Sequence, residues 1–96
     1  MYFVYILHAP ASDIYYTGQT DNLPLRLQFH NELSQNSFTS KHRPWVLKRS
    51  IPVESRSTAI LIEKYIKGRK SKKFIERLIE DQEAIEKLLR RFNSAG

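Results

Sequence analysis

The sequence predicts an α+β fold in the order ββαβαα, with helices flanking a small three-stranded antiparallel sheet. Three observations predict it. Two short runs of aromatic and β-branched residues, Tyr2 to Leu7 and Ile14 to Thr17, lie close together with loop residues between them. Apolar residues then take helical spacing over about 22–33, form another short run after Pro44, and return to helical spacing from Ala59 onward. Finally, a chain of 96 residues buries only about 60–70% of its unfolded surface, which leaves little for a second core. One domain over 1–96 is expected, with a motif-bearing core over about 2–79 and a C-terminal helix over about 72–92.

The first two runs and the Ala9 to Asp13 loop between them read as a β-hairpin. If the loop closes about residues 10 and 11, Tyr5 falls opposite Tyr16, with Cβ atoms about 5 Å apart on one face. Gly18 ends the second strand. Asp21 or Asn22 can cap the helix that follows, and Pro24 is tolerated in its first turn, where backbone N–H groups have no intrahelical partner. Leu23, Leu25, Leu27 and Phe29 are expected to form its buried stripe, with Arg26 and His30 as neighbours four residues apart. Ser34 to Arg43 is polar and aperiodic and reads as a flexible loop before a strand that starts near Trp45 and ends near Pro52. Ser55 or Ser57 can cap a second helix carrying Ala59, Ile60, Ile62, Tyr65 and Ile66. At about 100° per residue, Glu63 falls on the edge of that apolar face. Gly68 and Ser71 are expected to break and recap the chain, and Phe74, Ile75, Leu78, Ile85, Leu88, Leu89 and Phe92 define the last helix.

Composition narrows the chemistry. Hydrophobic residues make up 41% and no stretch approaches the roughly 20 apolar residues of a membrane span. Met1 to Leu7 reads as a strand and not a secretion signal, so the expected compartment is the cytoplasm. With no cysteine, any metal must use oxygen or imidazole ligands. The net charge of +6 is unevenly placed, with 12 Lys and Arg against 5 Asp and Glu in residues 1–73, and 4 against 5 beyond. The basic residues concentrate at Lys64, Lys67, Arg69, Lys70, Lys72 and Lys73, and at Lys41, His42, Arg43, Lys48 and Arg49. Such clusters suit a phosphate backbone, or simply a solvated charged face.

Arg26 and His30 suggest phosphate chemistry, because a guanidinium can hold two phosphate oxygens while an imidazole moves a proton near neutral pH. Glu63 is a carboxylate beside an apolar stripe and needs a partner there. A divalent metal would serve, as would an ion pair with Lys67 at i+4. Mg²⁺ tolerates a single protein carboxylate because it keeps several waters and leans on substrate phosphate. Tyr5 and Tyr16 are strand residues whose phenols could also handle protons if a nearby cation lowers their pKa. His8, Asp13 and His42 read as surface residues without assigned chemistry.

One ordered set of residues resembles a known family: Val4-Tyr5-Ile6, then Tyr16-Thr17-Gly18, Gln19-Thr20, Asn22-Leu23, Arg26-Leu27, His30, Arg43-Pro44-Trp45, and Glu63 in the second helix. It is similar to the GIY-YIG endonuclease superfamily, in particular its small stand-alone bacterial type, over about Tyr2 to Ile79. The resemblance implies a three-stranded antiparallel sheet with flanking helices. It implies that Tyr5, Tyr16, Arg26, His30 and Glu63 are the catalytic set and that Glu63 holds one Mg²⁺ or Mn²⁺. The implied reaction is hydrolysis of a DNA phosphodiester, with Tyr5 as general base assisted by Tyr16 or His30. The implied setting is DNA repair, recombination or processing. Lys41, Arg43, Lys64, Lys67, Arg69, Lys70, Lys72 and Lys73 are the expected DNA contacts. The chain departs from the pattern at Thr17, where isoleucine is usual, and at Gln19, where some members carry lysine. Two other functions fit the same residues: a non-catalytic DNA-binding module, and a protein-interaction or homodimer module using the last helix. In 96 residues without a separate DNA-reading region, recognition of DNA structure is expected over recognition of sequence.

Overall fold

A computed structural model describes residues 1–35 and 37–93. Strands β1 (Tyr2–Ala9), β2 (Ile14–Thr20) and β3 (Val46–Val53) form an antiparallel sheet in the order β2-β1-β3, so β2 is an edge. Helix α1 (Leu23–Gln28) follows β2; α2 (Arg56–Arg69), α3 (Lys72–Glu80) and α4 (Gln82–Asn93) follow β3.

The strictly alternating β1 divides the molecule in two. Val4 and Ile6 point to one face, where they join Ile51, Val53, Ala59, Ile62, Ile66, Leu78, Ile85 and Leu88 in an aliphatic core under α2, α3 and α4. Tyr5, Leu7 and Ala9 point to the other, where Trp45, Leu23, Leu27 and Tyr16 cover them. This is the α+β architecture expected from the strand and helix periods.

Hairpin register differs from the expected one. Tyr5 pairs with Gly18 and Leu7 with Tyr16, because the loop closes over Pro10 to Asp13. Ala9 O accepts from Ser12 N and Asp13 N, and Asp13 takes a left-handed φ of 54°. A shift of two residues keeps every side chain on its face, so the two tyrosines remain together as diagonal neighbours with ring centroids 6.3 Å apart. The loop end of the hairpin is tied down as well: Asp13 pairs with His8 at 2.9 Å and with Lys72, and Tyr15 donates to Glu76 at 3.3 Å.

Asn22 caps α1 by accepting from Leu25 N at 3.1 Å, with Pro24 in the first turn. The helix then widens into a π-helical turn, Phe29–Leu33, in which Ser34 N donates to Phe29 O. Leu23 and Leu27 are inward as expected, but Leu25 is 53% exposed, so the expected four-residue stripe is narrower. The segment expected to be a flexible loop is also more ordered over its described residues. Ser34 and Thr39 are buried, residues Thr39–Lys41 form a 3₁₀ turn, and Ser37 bonds to Ser34, Thr39 and Ser40. His42, expected on a mobile stretch, bonds through Nδ1 to Ser12 Oγ at 3.1 Å. Hydroxyl-rich sequence carries no apolar period, yet its side chains can satisfy a buried turn.

Ser55 caps α2, which runs through Gly68 to Arg69. Lys70 supplies the left-handed C-cap at φ 48°, so the expected break falls two residues later. The single helix expected over 72–92 is two. Asp81 is extended, and its Oδ1 accepts from Glu83 N at 3.0 Å, which starts a new helix. Leu78 and Ile85, seven residues apart, keep facing the same core across the break, so apolar spacing alone could not locate it.

Candidate active site

On the tyrosine face of the sheet, β2 and the continuous stretch from α1 into the π turn converge on the Tyr5 hydroxyl of β1. The strand fixes Tyr5 pointing away from the aliphatic core, and the space for its ring exists because its partner on β2 is glycine. A Cβ on Gly18 would lie 2.4 Å from Tyr5 Oη and 2.5 Å from Cζ. Gly18 thus positions the phenol by having no side chain.

From α1, Arg26 Nε donates to Tyr5 Oη over a long 3.4 Å. From the π turn, His30 Nε2 lies 2.8 Å from the same oxygen. His30 Nδ1 lies 3.0 Å from Thr39 Oγ1. One assignment satisfies the whole chain: Arg26 N–H donates to the Tyr5 oxygen, Tyr5 O–H donates to His30 Nε2, and Nδ1–H donates to Thr39. Tyr5 is 1% and His30 2% exposed, so leaving any of these groups unpaired would be costly.

Burial sets the charge states. Desolvation pushes the Tyr5 phenol up to about 12, against the lowering effect of the Arg26 hydrogen bond, and the negative charge of Glu63 adds to the rise. Desolvation pushes His30 down to about 4, and the cationic Arg26 and Arg43 push it in the same direction. Near neutral pH the resting pair is therefore neutral phenol and neutral imidazole.

Tyr16 reaches the same place from the edge strand. Its ring lies 6.3 Å from that of Tyr5 and 4.9 Å from His30. Glu63 comes from α2 on the opposite face of the sheet, and its side chain is 21% exposed. Lys67 joins the two sides around the open edge: Nζ is 2.6 Å from Glu63 Oε2 and 5.3 Å from the Tyr16 ring centre. The i+4 ion pair is therefore made, and a cation already sits between this carboxylate and an aromatic face.

Around these side chains lies a supporting shell. Asn31 exchanges two hydrogen bonds with the backbone of Trp45, at 3.1 and 2.7 Å, and the indole donates to Thr39 O at 2.7 Å. Arg43 donates through Nε to His30 O at 2.6 Å and through Nη2 to Ser34 O. Its fork is thus committed to the backbone that carries His30, although the sequence places it among expected DNA contacts. Thr39, Asn31 and Gly18 were not singled out from sequence as site residues. The role of Gly18 follows from the observed hairpin register, which the sequence did not fix, and Thr39 and Asn31 act through folds of the chain that no local pattern encodes.

The basic run of α2 and α3 is dispersed. Lys67 pairs with Glu63, Lys72 pairs with Asp13, and the Arg69 guanidinium lies over Phe74 at 4.6 Å and Tyr65 at 6.0 Å. Lys41, Lys64, Lys70 and Lys73 are exposed and make no salt bridge among the described residues.

The carboxylate at the site, Glu63, is of the ligand type a hard cation takes. No group of three or more His, Cys, Asp or Glu side chains gathers among the described residues, so Glu63 would be a lone carboxylate ligand. A magnesium-like ion accepts that arrangement when water and substrate phosphate complete its shell. Among the described residues no helix is long and apolar enough to cross a membrane.

Comparison with curated proteins and with solved structures gives no match. The family model of the GIY-YIG catalytic domain, however, matches residues 1–76, which takes in all three strands, Tyr5, Tyr16, Arg26, His30 and Glu63. The chain therefore belongs to the GIY-YIG family, a family of nucleases that act on DNA.

Proposed function

We propose that the protein is a divalent-metal-dependent endonuclease that hydrolyses DNA phosphodiester bonds and recognises DNA structure in preference to sequence. The observation that carries this reading is the Tyr5 hydroxyl, held between the Arg26 guanidinium and the neutral His30 imidazole against Gly18 of the edge strand β2.

Arg26 holds the scissile phosphate and offsets the charge that gathers on its oxygens in the transition state. Tyr5 Oη accepts a proton from the attacking water as its own proton passes to His30 Nε2, 2.8 Å away, and phosphate bound at Arg26 offsets one of the charges that hold the proton affinity of the imidazole down. Thr39 keeps the imidazole in the tautomer that leaves Nε2 free to accept. Water's oxygen bonds to phosphorus, the bond to the 3′ oxygen breaks, and that oxygen takes a proton from solvent. Glu63 would hold Mg²⁺ or Mn²⁺, and the ion would supply Lewis-acid stabilisation of negative charge on the phosphate oxygens. Tyr16 orients the same water from the neighbouring strand position. Lys41, Lys64, Lys70 and Lys73 serve as contacts to flanking phosphates, and Lys67 would be free to do the same where Glu63 held a metal. This chemistry fits a cytoplasmic role in DNA repair, recombination or processing.

The test is incubation of the purified protein with branched, nicked and plain duplex DNA in Mg²⁺ or Mn²⁺. Cleavage that Glu63→Ala abolishes supports the proposal, and cleavage that persists in a clean Glu63→Ala preparation overturns it. The second reading is a DNA-binding module without catalysis, favoured by the Glu63–Lys67 pair, which already satisfies the carboxylate. It predicts steeply salt-dependent binding and no cleavage with any divalent ion.

A further inference from the structure

The outward side of α1 is unlike the rest of the surface. Leu25 and Leu33 are each 53% exposed. Four-residue spacing places them with Phe29 on one ridge, beside a groove of about 300 Å³ that Thr20, Asp21 and Arg26 also line. Single exposed leucines are ordinary, but an apolar row beside an open groove offers a ligand apolar surface to cover.

Arg26 identifies the occupant. Its Nε faces Tyr5, while its guanidinium carbon lies 4.7 Å over the Phe29 ring. The same side chain thus borders both the proposed phosphate site and the apolar groove. On its other flank lies a smaller cavity of about 250 Å³, lined by Gln19, Thr20, Asp21, Arg26 and Arg56. Arg56 brings a second guanidinium to it. A nucleotide whose phosphate rests on Arg26 therefore has apolar surface within reach of its base and a second cation within reach of the adjoining phosphate. We propose that the Leu25, Phe29 and Leu33 ridge receives an unpaired base flanking the scissile phosphate, so the substrate is DNA in which that nucleotide is single-stranded or already unstacked.

A base held in duplex has both faces covered by its neighbours and cannot lie on the ridge. An unpaired one exposes two apolar faces, which aliphatic and aromatic side chains cover, while its polar edge meets Thr20 and Asp21 at the rim. The proposal rests on the nuclease reading for the identity of the phosphate site.

The experiment places 2-aminopurine in turn at each unpaired position next to a flap junction, and at the matching positions of a fully paired nicked duplex. Binding is measured with Ca²⁺ in place of Mg²⁺, for the wild-type protein, for Leu33→Asn, and for Leu25→Asn combined with Leu33→Asn. Both leucines are exposed, and melting followed by circular dichroism verifies folding. A fluorescence change at one unpaired position that the double variant loses, with about a tenfold fall in the ratio of flap to duplex cleavage, is the expected result. A fluorescence change and cleavage ratio identical in all three proteins overturn the proposal, as does a wild-type dimer in sedimentation that the double variant converts to monomer. Wild-type protein that gives the variant-sensitive fluorescence change without cutting DNA removes the nuclease reading and leaves the base site standing. Cutting without any such change removes the base site alone.

Discussion

Adjacent residues on β1 face two different worlds. Ile6 enters an aliphatic core in which shape is the only requirement, while Tyr5 enters a buried polar chain in which each atom has one assigned partner. The aliphatic face holds the fold together by area, and apolar neighbours can repack around small changes. The tyrosine face cannot, because a buried hydroxyl or imidazole either finds its donor or acceptor or loses free energy. The buried hydrogen-bonded chain is thereby confined to one face of the sheet, while Glu63 comes from α2 on the other.

The sharpest way to break that comparison is a pair of substitutions on β1. Tyr5→Phe should lower DNA cleavage by about 10²- to 10⁴-fold, as removal of a proton-transfer group does, with about 1–3 kcal/mol of stability lost because His30 Nε2 is left without its donor. Ile6→Ala should cost about 2–5 kcal/mol of stability with the rate per folded molecule preserved. Equal effects of both on cleavage, after correction for folded fraction, would refute the division of labour. Next in size is Gly18→Ala. Its new methyl meets the Tyr5 ring directly, so cleavage should fall by at least about tenfold through displacement of Oη, and Tyr5→Phe added to it should cost less than it does alone.

The pH dependence sharpens the contrast further. His30 is depressed from 6.5 to about 4, so the native state resists a proton that the unfolded chain binds. Its contribution to stability is present above about pH 6.5 and is lost as pH falls through about 4. Tyr5 is raised from 10.0 to about 12, so its contribution is present below pH 10 and lost as pH rises towards 12. Denaturation midpoints measured against pH should show both limbs; His30→Gln should flatten the acid limb and Ile6→Val should leave both unchanged. The smallest effect is expected from Thr39→Val, which removes the partner of His30 Nδ1. It should cost about 1 kcal/mol and release the ring tautomer, visible in the imidazole nitrogen shifts.

Much of this was legible locally. The strands announced themselves by aromatic and β-branched runs, Ser71 and one of each pair of candidate caps, Asn22 and Ser55, began the helices, and Glu63 fell on the edge of its apolar stripe. Local patterns failed where two segments had to agree. The Asp81 break hid behind continuous apolar spacing, and the serine-rich segment before Trp45 looked unstructured because its order comes from hydroxyls and not from apolar period.

The sequence by itself determined which residues alternate across β1, where most helices begin, and, through the ordered motif, the family. Alternation and capping are set within a few residues, so a linear reading suffices. Only the tertiary structure decided the hairpin register, the exposure of Leu25, and the state of the Tyr5–His30 pair. That pair spans 25 positions of sequence and depends on Thr39, nine further on. Its proton affinities come from desolvation and from the charges of Arg26, Arg43 and Glu63, which belong to the packed molecule and to no segment of it.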